Sequence, residues 1–195
     1  DGRQLGADSL MLAIIAALYN VDNWPYLTQA LADVAKGDPE FAFVLADFYN
    51  GREGGVYLDN STEAFRAYNC VDYPDDTTPE QEAAAEALLL EKAPTVAPYW
   101  NGPDACAVWP HPPTGERVVL TAGGAAPILV VGTTNDPATP YEWSVSLAEQ
   151  LASGVLITRV GEGHTGYNQG NQCVDAAVED YLINGTVPEA DITCE

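Results

Sequence analysis

Two turns of this sequence carry residues that could move a proton. "NDPATP" holds Asp136, and "GEGHTGY" holds His164. Only two histidines occur, and glycines on either side of His164 would let a tight turn project its ring into a cleft. Each turn follows an apolar run: Ile128, Leu129, Val130 and Val131 before the first, Val155, Leu156 and Ile157 before the second. In open parallel sheets, reactive groups sit on loops at the carboxyl ends of strands. An Asp after one strand and a His 28 residues later, after the next, form the tail of the chain order Ser, Asp, His. There the Asp accepts a hydrogen bond from one ring nitrogen. It fixes the tautomer and stabilises the imidazolium formed when the other nitrogen takes the serine proton. Each residue also has an ordinary reading. Asp in such a turn can simply cap the next helix, and His among glycines can be a solvated loop residue. Their joint placement after consecutive strands favours the catalytic reading.

A base of this kind needs a nucleophile. The serines are Ser9, Ser61, Ser144, Ser146 and Ser153. Ser9 and Ser61 read as helix starts, Ser144 and Ser146 lie within the helix after Asp136, and Ser153 marks its end. None follows a strand on a sharp glycine-flanked turn, and the sequence contains no G-x-S-x-G.

The elements that would position the two turns form a βαβ unit. Strands at 128–131 and 155–160 flank a helix over 141–152, with Thr139 as its cap, Pro140 at its first position and Glu142 closing a capping box. Such strands are parallel. A last helix runs near "CVDAAVEDYLING". Two strands alone make no stable covered sheet, so part of the sheet is expected elsewhere.

The first half reads as helical. Asp8 or Ser9 caps an almost wholly apolar, buried helix in "LMLAIIAALYN". Pro25 opens the next and Gly37 closes it. Asp38, Pro39 and Gly51 punctuate a third. A short helix in "STEAFRAYNCVDYPDD" precedes one with a full capping signature: Thr78 as cap, Pro79 at the first position, Gln81 completing the box. Segment 94–114, crowded with prolines and tryptophans, reads as a loop. The expected division is a mainly helical region at 1–115 and an α/β region at 116–195.

The chain of 195 residues has 29 acidic and 7 basic residues, a formal charge of -22 and 47% hydrophobic residues. The core can be sizeable, and the negative field makes nucleic acid an unsuitable partner. No uninterrupted apolar stretch approaches the roughly 18 residues of a membrane span. The four cysteines, Cys70, Cys106, Cys173 and Cys194, form no C-x-x-C pair, and the histidines lack zinc spacing. No metal or other cofactor is expected. An even number of cysteines suits disulfides and an exported protein, four buried thiols being the alternative. Of the three possible pairings, sequence order favours Cys70 with Cys106 and Cys173 with Cys194.

"PILVVGTTNDPATPYEWSVSLAEQL", "GEGHTGY" and "CVDAAVEDYLINGTVPEADITC" closely resemble the C-terminal region of the tripeptidyl aminopeptidase-like α/β-hydrolases. These are secreted actinobacterial serine peptidases related to the proline iminopeptidases. "AYNCVDYP" and "CAVWP" are similar to that family too, and the helical stretch before them resembles its cap. The resemblance implies the C-terminal part of an α/β-hydrolase fold, its last parallel strands with flanking helices, plus a mainly helical cap. It implies that Asp136 is the triad acid and His164 the triad base. It also places cysteines like all four here, which supports the sequential pairing.

The functional expectation is a portion of a secreted serine exopeptidase that cleaves near free N-termini, inactive alone because its serine lies upstream. An esterase or lipase with the same triad is the alternative within enzymes. A non-catalytic binding or lid module is the alternative outside them. Expected partners are a peptide substrate and the rest of the same enzyme, or a second copy of the chain. An exopeptidase must bind an α-ammonium group, and "CVDYPDD" supplies Asp72, Asp75 and Asp76, with Asp72 the first candidate and a solvated acidic turn the ordinary reading. Tyr99, Trp100 and Trp109 could line a subsite or simply pack. His111 has no assigned role. The sequons at Asn60 and Asn184 bear only on a eukaryotic secretory route.

Overall fold

In a computed structural model of the chain, which describes residues 2–100 and 106–195, helices form where proline and glycine punctuate the first half. Helix α1 (Ala7–Leu18) starts one residue before the expected cap, so Asp8 lies in its first turn, where a carboxylate favours the positive helix end. It is less buried than its composition suggests. Only Ala13, Ala16 and Ala17 are fully covered, and the larger apolar side chains are half-buried. A 3-10 turn (Val21–Asn23) capped by the Asn20 side chain leads into α2 (Trp24–Val34), with Pro25 in its first turn. In α3 (Glu40–Tyr49) the Glu40 N–H donates to the Asp38 carboxylate at 3.0 Å. The two-residue strands β1 (Arg52–Glu53) and β2 (Val56–Tyr57) make an antiparallel hairpin.

Helix α4 (Ser61–Asp72) precedes α5 (Pro79–Lys92). The α5 capping box is formed as the sequence implies: Gln81 N–H donates to Thr78 Oγ1 at 3.3 Å, and Thr78 N–H to Gln81 Oε1 at 2.9 Å. The segment read as a loop at 94–114 contains α6 (Ala97–Trp100) and a 3-10 turn (Cys106–Val108). Its residues 101–105 lie outside the described ones. Cys70 is bonded to Cys106, and Thr114 N–H donates to the Val71 carbonyl at 2.8 Å.

The chain groups into two compact units, Asp1–Ala13 with Ala42–Val118 and Ile14–Phe41 with Val119–Glu195. In the first, Asp47 receives the Arg3 guanidinium on both oxygens at 2.7 Å, and Arg3 also lies over the Phe43 ring at 4.2 Å.

The second unit holds the sheet. Strand β3 (Ile128–Asn135), helix α7 (Tyr141–Gln150) and strand β4 (Gly154–Glu162) form the expected βαβ unit, each strand longer than its apolar run. The strands are parallel, with Val130 opposite Leu156 and Val131 opposite Ile157. Helix α8 (Gln172–Asn184) starts at the Asn171 cap and ends on Gly185, whose φ of 71° suits a residue without Cβ. Strand β5 (Ile192–Cys194) then adds itself parallel to β4, giving the order β3-β4-β5. The sequence reading had no third strand. Helix α7 lies close on β3: a Cβ at Gly132 would sit 2.7 Å from Ser144 Cβ.

Ile157, Val174 and Cys194 form a buried cluster, lined by Leu129, Val131, Ala177, Val178 and Ile192. Cys194 is bonded to Cys173, which ties α8 to β5 beneath this cluster. Among the described residues no helix is long and apolar enough to cross a membrane. Because Ile157 is fully covered, Ile157→Ala should lower stability by about 3 kcal/mol, read as a shifted midpoint in urea denaturation.

Candidate active site

The parallel register brings the two turns together. Asn135 at the end of β3 lies opposite Glu162 at the end of β4, after a register shift between Thr133 and Asn135. Asn135 Nδ2 donates to Glu162 Oε1 at 2.8 Å. Thr134 Oγ1 bridges the same strands, accepting from Gly161 N–H at 3.0 Å. The residues next in sequence on β3 and just beyond β4 are therefore neighbours. Asp136 and His164 meet there, with Nδ1 at 3.0 and 2.9 Å from the two carboxylate oxygens.

Asp136 is almost wholly covered, its side chain 4% exposed, whereas that of His164 is 28% exposed. Burial alone would push the carboxyl pKa up. The Thr139 and Ala138 N–H groups, the His164 ring and the Thr139 hydroxyl outweigh it and bring the value down from 3.8 to about 2. Oδ1 accepts from Ala138 N–H at 2.8 Å and Thr139 N–H at 2.9 Å. Oδ2 accepts from the Thr139 hydroxyl at 2.9 Å and Thr165 N–H at 3.2 Å. Ionised at neutral pH, Asp136 can only accept. The hydrogen facing it must therefore sit on Nδ1, and in the neutral ring this makes Nε2 the acceptor.

The His164 loop is held tightly. Its N–H donates to the Tyr19 carbonyl at 2.8 Å. Gly163 has φ 95°, and a Cβ there would lie 3.0 Å from that carbonyl oxygen, so both backbone and space require glycine. Buried Thr133 reaches across from β3, its hydroxyl donating to the Thr165 carbonyl at 3.1 Å.

Three contributors escaped the sequence reading. Thr139 was expected to cap α7, but that helix starts at Tyr141 with no side-chain cap. The Thr139 hydroxyl serves Asp136 instead. The signal was present: an Asp that takes the N–H groups two and three residues on is a local turn motif. Asp136 thus caps its turn and holds His164 at once, so the ordinary and the catalytic readings describe the same carboxylate. Thr165, at φ 68°, and Tyr19 carry no sequence signal.

Ser9 lies within α1, Ser61 is the first residue of α4, and Ser144 and Ser146 are in α7. Ser153 donates to the Ala126 carbonyl at 3.3 Å. Asp72 is exposed at the end of α4, in the unit that does not contain His164. Tyr99 and Trp100 are more than half exposed, and the His111 ring lies edge-on to Trp109 at 6.5 Å.

The sequence profile of the family described as TAP-like protein matches residues 93–194, over half of the chain and including both turns. The chain belongs to the TAP-like family. The resemblance drawn from the Asp and His turns is borne out, and this TAP-like chain has an α/β-hydrolase fold. It is 39% identical over 199 residues to carboxylesterase B of Mycobacterium tuberculosis, with 100% of the chain and 38% of that relative covered. It is 37% identical over 198 residues to serine protease Hip1 of the same organism, again covering 100% of the chain and 38% of the relative. It is 31% identical over 171 residues to tripeptidyl aminopeptidase of Streptomyces lividans, covering 86% of the chain and 30% of the relative. The chain thus spans less than two fifths of the length of the first two relatives.

The Asp136 carboxyl titrates near 2 folded and near 3.8 unfolded, so its ionisation contributes about 2 kcal/mol to stability. That contribution is complete above the unfolded value and is lost as pH falls through the folded one. Asp136→Asn should therefore be less stable than the wild type by about 2 kcal/mol at pH 7. The gap should close towards pH 2, measured by urea denaturation across the range.

Proposed function

We propose that the chain supplies the acid and base of a Ser-Asp-His triad in a secreted serine exopeptidase that cleaves peptide bonds near free N-termini. The observation that carries this reading is the ionised, hydrogen-bonded Asp136 against His164 Nδ1, which leaves Nε2 to work as a base. Serine Oγ attacks the scissile carbonyl as Nε2 takes its proton. The imidazolium, stabilised by Asp136, then returns that proton to the leaving amine. The serine belongs to residues outside these 195. The relatives named serine protease and tripeptidyl aminopeptidase support a peptide substrate.

In this reading the mainly helical region 1–115 is the cap region and 116–195 the α/β region. Within the former, Ile14–Phe41 shares a compact unit with His164. The two disulfides suit an oxidising, extracellular setting. The partner of this chain is the rest of the same enzyme, or a second copy. Among the described residues β3 pairs on one side only, and its open edge is the place for further strands. Asp72 is the candidate for pairing with the substrate α-ammonium. A second reading, ester hydrolysis by the same triad, is favoured by the relative named carboxylesterase B.

The 195-residue chain alone should not turn over a chromogenic tripeptide substrate, whereas the full-length protein should. In the latter, His164→Ala or Asp136→Asn should lower kcat about 10⁴-fold. Turnover by the isolated chain would overturn the external nucleophile. Full-length protein assayed on free peptides, N-acetylated peptides and simple esters separates the two readings: an exopeptidase fails on acetylated peptides, an esterase prefers the esters. Asp72→Asn should raise KM for free peptides about tenfold at unchanged kcat, the loss of one charge-assisted hydrogen bond.

A further inference from the structure

Asp136 fixes one edge of the His164 ring, but a ring held at a single nitrogen can still rock about that bond. The restraint on the other side comes from Tyr19, far away in sequence. Tyr19 follows the last residue of α1, where helix-end carbonyls have no partner within the helix. Its carbonyl is filled by the His164 N–H at 2.8 Å. Its ring meets the His164 ring edge-on, with centroids 4.9 Å apart and planes at 74°, a favoured aromatic arrangement. The backbone beside Tyr19 is itself fixed. The Asn20 side chain accepts from Asp22 N–H at 2.9 Å, and its carbonyl accepts from Asn23 N–H at 2.9 Å. Gly163 leaves no room between the loop and the Tyr19 carbonyl. All of these residues belong to one compact unit.

We propose that Tyr19 is a positioning residue for His164: its carbonyl pins the histidine backbone, and its ring limits rotation of the imidazole, so that Nε2 keeps one direction. The inference rests on His164 being the catalytic base. In this role Tyr19 acts on His164 by geometry, through the backbone bond and the ring contact. Displacing a reacting group by about 1 Å can cost a hundredfold in rate, so the restraint should be visible in kcat and not in substrate affinity.

The test uses the full-length protein and a free peptide substrate. Tyr19→Leu should lower kcat at least tenfold, within the range that misplacement commands, and leave KM unchanged. Tyr19→Phe, which keeps the ring, should restore the wild-type kcat. Unchanged kcat in Tyr19→Leu, or a Phe variant as slow as the Leu variant, would overturn the proposal. Hydrogen exchange on the unsubstituted protein decides the matter independently of any variant that fails to fold. The His164 amide should be protected, and exchange at the rate of an exposed loop would overturn the pinning. An active His164→Ala protein would sink the catalytic reading, while amide protection would still report on the brace.

Discussion

The structure of the second unit turns on one buried carboxylate. A covered Asp is costly unless its oxygens find donors, and Asp136 finds them in the backbone of its own turn, in Thr139, in Thr165 and in His164. Each donor demands something of the fold. The N–H groups of Ala138 and Thr139 require the turn to fold back on the carboxylate. The Thr165 N–H requires the next loop to approach it, which the parallel pairing of Asn135 with Glu162 arranges. Thr165 also adopts φ 68°, a conformation unfavourable for a β-branched residue. That strain persists because the Thr133 hydroxyl and Asp136 hold the residue from two sides.

This saturation divides the labour in the pair. Asp136 is covered and bonded at both oxygens, so it is the fixed member. His164 keeps a more exposed ring, and the contact to Asp136 uses Nδ1 alone of its two nitrogens. A carboxylate held at about 2 is a poor proton acceptor at neutral pH. The proton on Nδ1 therefore stays on the ring, and in the proposed triad Asp136 would stabilise charge without taking the proton itself.

Sequence reasoning reached the parts governed by local rules. Thr78, Pro79 and Gln81 specify a helix start by hydrogen bonds among neighbours, and α5 starts there. The apolar runs in β3 and β4, with a helix between, imply parallel pairing, and that pairing implies that Asp136 and His164 lie close. Contacts between distant segments that no motif or cysteine marks, such as Tyr19 with the His164 loop, were not legible. Strand β5 is three residues of "ITC", too short for any periodicity. It is placed by the bond from Cys173 to Cys194 and by Asp191, whose carboxylate accepts the Leu156 N–H at 2.7 Å. The α7 cap was misread for a related reason. Local rules see Thr139 ahead of a helix, but its hydroxyl is turned to donate to the buried Asp136 carboxylate, and α7 starts at Tyr141 without a side-chain cap.

The grouping of Ile14–Phe41 with the sheet gives the helical half two roles. Its alanine-lined helix end delivers Tyr19 to the histidine loop, while the Cys70–Cys106 bond stabilises a separate unit. Among the described residues, Tyr19 and Asp136 hold His164, while Thr133 and Asp136 brace the adjoining Thr165. In the proposed triad, the acid–base half would be organised before a nucleophile is placed against it, and preorganisation of that kind avoids reorganisation at the moment of reaction. On that proposal, alignment with a nucleophile would come from a strand docked against the edge of β3 that is unpaired among the described residues.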